Sequence, residues 1–281
     1  MTSPLSSGIG DTHRPAPNAA ITGTFGAMPA FAPLFVPGTE QASVRWLSVV
    51  YPTSRDIVDA VLPAPLTGTP TPEVIIWIAE FRGARFTNSD GNVETRPAYM
   101  QGGVNLRCRH DGTEGAYAVE TFVEGLNHGI LGREMFGLPK KQVRHVELHQ
   151  LSGNATFGFT DARGHPLLAG FARASTTAVD RIAPDWFGTQ YTAKLIPRAD
   201  GPGYDVSRLV RIPFGFDVNG PLQAGTATFE WSPSPSDPLH LFKPLGEASA
   251  VWGEAQMTVD YGTYVADLNP HDIPALGTPQ W

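Results

Sequence analysis

Cysteine is almost absent from this sequence of 281 residues, in which Cys108 is the only one. A single cysteine excludes a disulfide within the chain and a metal site built from several cysteines. A thiol nucleophile needs a histidine partner, whereas Cys108 lies between two arginines in a predicted strand. The sequence therefore gives little reason to expect thiol catalysis.

Charge and long apolar runs are also scarce. Charged residues make up 17% of the chain, the net charge is −7, and no run of Lys and Arg indicates a nucleic-acid partner. The longest apolar run, Val74–Ala79, is far too short to span a membrane. Residues 1–20 lack the basic start and apolar stretch of a secretory signal. We expect a cytoplasmic protein with no membrane partner, a flexible N-terminal arm over residues 1–20 and a single domain over residues 21–281.

Glycine and proline are abundant, with 30 and 26 residues, which indicates many turns and short elements. A short helix is predicted over Ser54–Leu62, with Thr53 as its cap and prolines after it. We predict an α+β, mainly β fold, with a closed or strongly bent antiparallel sheet and a few short helices. Patterns of β-branched and aromatic residues predict strands over Ala42–Tyr51, Glu73–Phe81, Ala98–Arg109, Ala116–Val123, Val143–Gln150, Asn154–Thr160, Leu167–Ala172, Gln190–Pro197, Tyr204–Phe214, Ala224–Trp231 and Ala255–Val265.

Lysine is rare as well, and two of the four lysines, Lys140 and Lys141, are adjacent. Lysine, unlike arginine, can lose its proton near neutral pH, and a neutral amine can form a Schiff base with a carbonyl. Lowering a lysine pKa to about 6–7 requires roughly 5 kcal/mol. A second ammonium about 4 Å away supplies about 4 kcal/mol of this, and burial can supply the rest. The alternative is a solvated lysine pair in a turn after Pro139.

The segment Gly132–Val143 reads Gly-Arg-Glu-Met-Phe-Gly-Leu-Pro-Lys-Lys-Gln-Val. It resembles the signature of the acetoacetate decarboxylase family. The resemblance extends over most of the chain, with similar motifs at Tyr51–Leu66, Tyr117–Gly132, Lys194–Pro197, Asn219–Pro221 and Asp237–Leu239.

This resemblance implies a fold and a mechanism. The fold is a bent sheet that closes into a cone-like β-barrel with a few helices. The mechanism is a Schiff base between a small keto acid and Lys140, with Lys141 lowering the pKa of Lys140. No organic cofactor and no metal is implied, because the lysine itself serves as the electron sink, and a homo-oligomer is expected.

Two positions depart from the family's decarboxylases. The resemblance implies a Glu two residues after a Tyr, but here Tyr99 is followed at that spacing by Gln101. It also implies an Arg where this chain has Val44, and Arg45, one residue later, points to the other face of a strand unless a bulge re-aims it. Gln101 is either a hydrogen-bonding group for the substrate or a structural amide.

Further candidates complete the predicted site. Glu80 follows an apolar strand and would have a raised pKa if buried, which makes it either a replacement catalytic carboxyl or a solvated strand end. Phe136, with Trp46, Trp77, Trp186 and Phe187, forms either an apolar pocket or part of the core. We therefore predict Lys140, Lys141 and Glu80 as catalytic residues, and Gln101, Arg45, Phe136 and Tyr99 as substrate-binding residues.

His145, Glu147 and His149 alternate along a predicted strand and share one face. This pattern fits either a zinc site or a solvated strand face, and we expect no metal. Three functions remain open. The first is decarboxylation of a β-keto acid through an imine on Lys140, the second is aldolase, dehydratase or cyclase chemistry through the same imine, and the third is non-catalytic binding of a small molecule.

Overall fold

The computed structural model describes residues 38–125 and 130–274, and the predicted arm over residues 1–20 lies outside them. The helices of this part are α1 (Arg55–Val61), α2 (Ile130–Phe136) and three 3-10 helices, and none has the length and apolarity needed to cross a membrane. The strands are β1 (Thr39–Pro52), β2 (Thr67–Gly68), β3 (Glu73–Thr87), β4 (Val93–Thr95), β5 (Tyr99–His110), β6 (Thr113–Glu124), β7 (Lys140–Val143), β8 (His145–Leu151), β9 (Asn154–Thr160), β10 (Pro166–Ala174), β11 (Thr189–Pro197), β12 (Tyr204–Val218), β13 (Gln223–Trp231), β14 (Ala248–Val259) and β15 (Thr263–Asp267).

The strands form one sheet that closes on itself. Their order is β15–β12–β11–β6–β5–β3–β1–β14–β13–β10–β9–β8, and β12 also pairs with β14. Strands β12, β11, β6, β5, β3, β1 and β14 therefore make a closed ring. The prediction of a mainly β fold with a strongly bent sheet and a few short helices is confirmed. The sheet differs from the prediction in being mixed, because β6 pairs in parallel with both β7 and β11.

The central strands of the ring bury both of their faces. On one face, Leu47, Ile76 and Ile78 belong to the main hydrophobic core, which also contains Leu148 and Phe159 from β8 and β9. Each fully buried side chain of this kind contributes about 1.5–3 kcal/mol to the free energy of unfolding. The opposite face carries the two tryptophans of β1 and β3 and borders a cavity.

Two local predictions are wrong. The strand expected over Ala255–Val265 is two strands, and β14 begins earlier, at Ala248. The small residues at the start of β14 have low strand propensity, but pairing with β13 and β1 holds them extended. Helix α1 has Ser54 rather than Thr53 at its N-cap position, and the Thr53 hydroxyl instead donates a hydrogen bond to the carbonyl of Lys243 (3.0 Å).

Gly103 allows β5 to pass close to its neighbours. A Cβ at this position would lie 2.6 Å from the carbonyl oxygen of Glu120 and 2.9 Å from Nε1 of Trp77. Since a backbone carbonyl in a paired strand cannot move away easily, we expect Gly103→Ala to lower the free energy of unfolding by about 1–3 kcal/mol in urea denaturation. Glu147→Ala, on an exposed position of β8, is the control and should change stability by less than about 0.5 kcal/mol. Equal stability of both variants would contradict the close approach at Gly103.

Candidate active site

The signature segment fixes the backbone of Lys140. Strand β7 pairs in parallel with β6, which places Lys140 opposite Thr121. The backbone N–H of Thr121 donates to the carbonyl of Pro139 (3.1 Å), and Nη1 of Arg133 donates to the carbonyl of Lys140 (3.2 Å). The arginine of the Gly-Arg-Glu motif thus holds the main chain that carries the lysine.

Helix α2 packs directly against the amine. A Cβ on Gly132 would lie 2.7 Å from Cε and 2.9 Å from Nζ of Lys140, so a glycine leaves the space that the ammonium group occupies. The hydroxyl of Thr192 in β11 donates to the carbonyl of Phe136 and attaches the end of the helix to the sheet. The sequence did not predict α2, because a helix of seven residues containing a glycine has little intrinsic stability and depends on these tertiary contacts.

Lys140 lies on the wall of a cavity of about 60 Å³, which has room for a few water molecules. The indole rings of Trp46 and Trp77 stack on this wall, with ring centroids 5.1 Å apart and an angle of 5° between the planes. Phe136 also lines the cavity, as the sequence predicted. Trp186 and Phe187 do not line it, and Phe187 packs behind Trp46 with 5.7 Å between ring centroids.

A polar group of side chains shares the cavity with Lys140. Glu40 and Tyr99 are hydrogen-bonded, with the Tyr99 hydroxyl donating to Oε1 of Glu40 (3.3 Å). Arg96 lines the cavity next to them, and its positive charge affects the pKa of both Glu40 and Lys140. A carboxyl, a phenol and a guanidinium therefore surround one amine.

The back of the cavity contains a chain of amides. Nε1 of Trp77 donates to Oδ1 of Asn105 (2.9 Å), and Nδ2 of Asn105 donates to Oε1 of Gln190 (2.7 Å). Two other buried polar atoms that border the cavity, Oε1 of Gln101 and Nε1 of Trp46, have no hydrogen-bond partner in the part of the chain that the structure describes. A buried polar atom without a partner is costly, which makes both atoms suited to a bound ligand.

The surroundings change the pKa of both ionisable groups at the centre of the cavity. Burial lowers the pKa of Lys140 to about 8, with Glu40 opposing this shift and Arg96 adding to it. Burial also raises the pKa of Glu40, and the positive charges of Lys140 and Arg96 offset that rise only in part. Both groups are therefore pushed toward their neutral forms.

Lys141 points to the other face of β7. The expectation that Lys141 lowers the pKa of Lys140 is therefore wrong. The Nζ of Lys141 lies 2.5 Å from Oε1 of Glu120 and 2.7 Å from Oδ1 of Asp237, and it donates to the carbonyl of Ser236 (3.0 Å). Burial opposes protonation here, but the two carboxyl groups raise the pKa of Lys141. Adjacent residues in a strand face opposite sides, so the side chain of Lys141 points away from that of Lys140. Burial and the charge of Arg96 lower the pKa of Lys140.

The predictions of Glu80 as a catalytic residue and of Arg45 as a substrate-binding residue are also wrong. The two residues lie opposite each other on β3 and β1, on the face turned away from the cavity, with Nη2 of Arg45 3.0 Å from Oε2 of Glu80. The irregular pairing of β1 falls between Gln41 and Ser43 and does not turn Arg45 toward Lys140. A hydrogen bond from Arg82 lowers the pKa of Glu80, the reverse of the shift expected for a buried carboxyl.

Tyr99 and Gln101, by contrast, line the cavity beside Lys140. Sequence reasoning missed Glu40 and Arg96. Counting back in steps of two from Trp46 along β1 would have placed Glu40 on the cavity face. No such pattern marks Arg96, which follows the short strand β4 and reaches the cavity only once β3, β4 and β5 are paired.

Other candidate chemistries receive no support in residues 38–125 and 130–274. No group of three or more His, Cys, Asp or Glu side chains in this part of the chain could hold a metal ion. His145, Glu147 and His149 alternate on an exposed face of β8. Burial raises the pKa of the Cys108 thiol to about 12, so its reactive thiolate is scarce at neutral pH.

Fold and site together define a β-rich protein that presents one lysine amine to an apolar cavity. A model of the family described as acetoacetate decarboxylase (ADC) matches residues 27–268. The chain therefore belongs to the acetoacetate decarboxylase family. It is 26% identical over 260 residues to Acetoacetate decarboxylase 3 of Mesorhizobium japonicum, and the alignment covers 90% of this chain and 96% of the relative.

Solved structures share the fold. A structure described as "Structural Studies of Acetoacetate Decarboxylase" has a TM-score of 0.72 at 18% identity, covering 84% of this chain and 93% of that chain. The enduracididine biosynthesis enzyme MppR, complexed with the condensation product of pyruvate and imidazole 4-carboxaldehyde, has a TM-score of 0.65 at 15% identity, covering 83% and 91%. At these identities the likeness concerns the fold.

Removing Lys141 tests its role. We expect Lys141→Ala to lower the free energy of unfolding by up to about 3 kcal/mol, because Glu120 and Asp237 lose their cation. The pKa of Lys140 should stay near its value of about 8, as followed by the pH dependence of Lys140 acylation in peptide mass spectrometry. Lys141→Arg, which keeps the charge, is the control. A return of the Lys140 pKa toward its ordinary value in Lys141→Ala would restore Lys141 as the cause of the shift.

Proposed function

We propose that this chain decarboxylates a β-keto acid through an imine on Lys140. The observation that carries the proposal is a lysine with a pKa of about 8 on the wall of an apolar cavity. Membership of the acetoacetate decarboxylase family supports it, as do relatives named for that activity.

The lowered pKa supplies the nucleophile. A pKa of about 8 in place of 10.5 raises the neutral fraction of Lys140 at pH 7 roughly 300-fold. The neutral amine attacks the ketone carbon, the hydroxyl group of the adduct takes up a proton from solvent and leaves as water, and a protonated imine forms. The backbone contacts from Arg133 and Thr121 hold the amine in place for this attack.

Carbon–carbon cleavage follows from the imine. The electron pair of the bond to the carboxylate moves toward the positively charged imine, carbon dioxide leaves, and an enamine remains. The enamine carbon then takes up a proton, and water hydrolyses the imine to release a ketone and the lysine. Glu40 is suited to give that proton, because burial raises its pKa and its carboxyl borders the same cavity. Glu40 is thus the catalytic carboxyl that was expected from the sequence at Glu80.

Trapping tests the imine. With acetoacetate and borohydride, the wild-type chain should carry a reduced isopropyl adduct on Lys140, located by intact mass and peptide mapping. Lys140→Met should carry none, and its fold should persist because Met has a similar apolar stem. Lys194→Met, which removes a lysine outside the cavity lining, is the matched control and should be trapped as the wild type is. An undiminished adduct in Lys140→Met would assign the chemistry to another group.

The pH profile gives a second test. Below the Lys140 pKa of about 8 the amine is protonated and cannot attack, so the rate of imine formation should fall about tenfold per pH unit and level off above that value. The measurement is kcat/KM, or the rate of trapping, across this range. A rate that keeps rising toward the ordinary lysine pKa would mean that Lys140 is not buried as described.

Aldolase, dehydratase or cyclase chemistry through the same imine is the second candidate. Gln101 favours it. At this position the family's decarboxylases resemble one another in having Glu, whereas this chain has a neutral amide whose Oε1 has no partner in the described residues. The MppR structure, with a condensation product of pyruvate, belongs to a chain of similar fold. A trapped adduct that keeps its carboxylate would favour this reading, and the absence of an adduct with any keto acid would favour a non-catalytic binder.

The remaining predictions concern the setting of the reaction. A single catalytic domain over residues 21–281, a cytoplasmic location and a homo-oligomer stay predictions. The strands β8 and β15, which end the described sheet, offer edges through which copies of the chain could associate.

A further inference from the structure

A keto acid carries a negative charge close to the carbon that reacts with Lys140. Because at most one carbon separates the two groups, that carboxylate enters the same mostly apolar cavity as the amine. An isolated buried carboxylate is very costly unless a cation or several hydrogen-bond donors receive it. The site therefore needs a second positive group, since the amine of Lys140 is used to form the imine.

We propose that Arg96 binds the carboxylate of the keto acid substrate. Among the described residues, Lys140 and Arg96 are the two lining side chains that can carry a positive charge. The inference rests on the proposed function, in which a keto acid reacts at Lys140. It adds a residue that neither the family signature nor the sequence pattern indicated.

Contacts within the protein hold Arg96 in one orientation. Its Nε lies 2.8 Å from Oε1 of Glu94, and its guanidinium carbon lies 4.2 Å above the ring centroid of Phe86. Its backbone N–H donates to the carbonyl of Ala84 (3.0 Å), and its side chain is 14% exposed. These contacts use Nε and one face of the guanidinium, and neither terminal nitrogen donates a hydrogen bond within the described residues. Such a pair of donors matches the two oxygens of a carboxylate.

The carboxylate that pairs with Arg96, that of Glu94, does not line the cavity. Glu40 is the acidic side chain that lines it in the described residues, its hydrogen bond comes from Tyr99 rather than from Arg96, and burial raises its pKa. Tyr99 donates its hydroxyl hydrogen to Glu40 and carries no charge at neutral pH. An incoming carboxylate therefore meets the positive charge of Arg96. This charge lies close enough to Lys140 to lower the pKa of that lysine.

The other cations near the site do not line the cavity, and carboxyl groups elsewhere hold them. Arg45 and Arg82 both contact Oε2 of Glu80, at 3.0 and 2.8 Å, on the opposite face of the sheet. Lys141 is paired with Glu120 and Asp237. The positive charge expected on β1 is thus supplied from the connection between β4 and β5.

The test compares an anionic and a neutral probe of similar shape. Acetoacetate and 2-pentanone differ in that an uncharged ethyl group replaces the carboxylate, and pyruvate and butanone form a second pair. The rate of borohydride-trapped imine formation is measured for each probe in the wild type, Arg96→Gln and Arg45→Gln. Arg96 also lowers the pKa of Lys140, but that effect changes both rates of a pair by the same factor. The ratio of the acid rate to the neutral rate therefore isolates the carboxylate contact.

We expect Arg96→Gln to lower this ratio about 10- to 100-fold, the usual effect of losing a charge-assisted hydrogen bond. Arg96→Lys, which keeps the charge without the paired donors, should lower it less. Arg45→Gln should leave it unchanged, and reaction of each variant with the neutral probe verifies its fold. An unchanged ratio in Arg96→Gln would overturn the inference while leaving the imine intact. Failure of the wild type to form an imine with any of the four probes would instead overturn the proposed function.

Discussion

The parallel pairing of β7 with β6 is the constraint on which the site depends. It places Lys140 beside Thr121 on the cavity face and sends Lys141 to the opposite face, into a separate cluster with Glu120 and Asp237. Two lysines that are adjacent in sequence therefore have opposite environments. One loses its proton more easily because it is buried, and the other keeps its proton because two carboxyl groups hold it.

The contacts of Lys141 also help to position Lys140. Lys141 anchors β7 to the bend at Asp237, just before the 3-10 helix Leu239–Leu241, and the side chain of Asp237 also accepts a hydrogen bond from Ser234. This anchor, together with Arg133 and Gly132, determines where the Lys140 amine lies. Two adjacent cations can thus lie one on a cavity wall and the other in an ion-pair cluster, because strand geometry separates them.

Much of the fold and the position of the lysine proposed to form the imine follow from local sequence. Alternating apolar residues predict most strands, and the rarity of lysine draws attention to Lys140. The sequence fails where the outcome depends on register or on pairing between distant strands. Arg45 and Glu80 are each one residue away from a position on the cavity face. Arg96 reaches the cavity through the pairing of β4 with β3, which no local pattern indicates.

The stacked indoles of Trp46 and Trp77 give the cavity an optical property of its own. The near-ultraviolet bands of two indole rings stacked 5.1 Å apart depend on what packs against the rings. Both rings border the space beside Lys140, and a molecule entering that space changes their surroundings directly. Occupancy of the site can therefore be followed by absorption of polarised light in the unlabelled protein, including for compounds that bind without reacting.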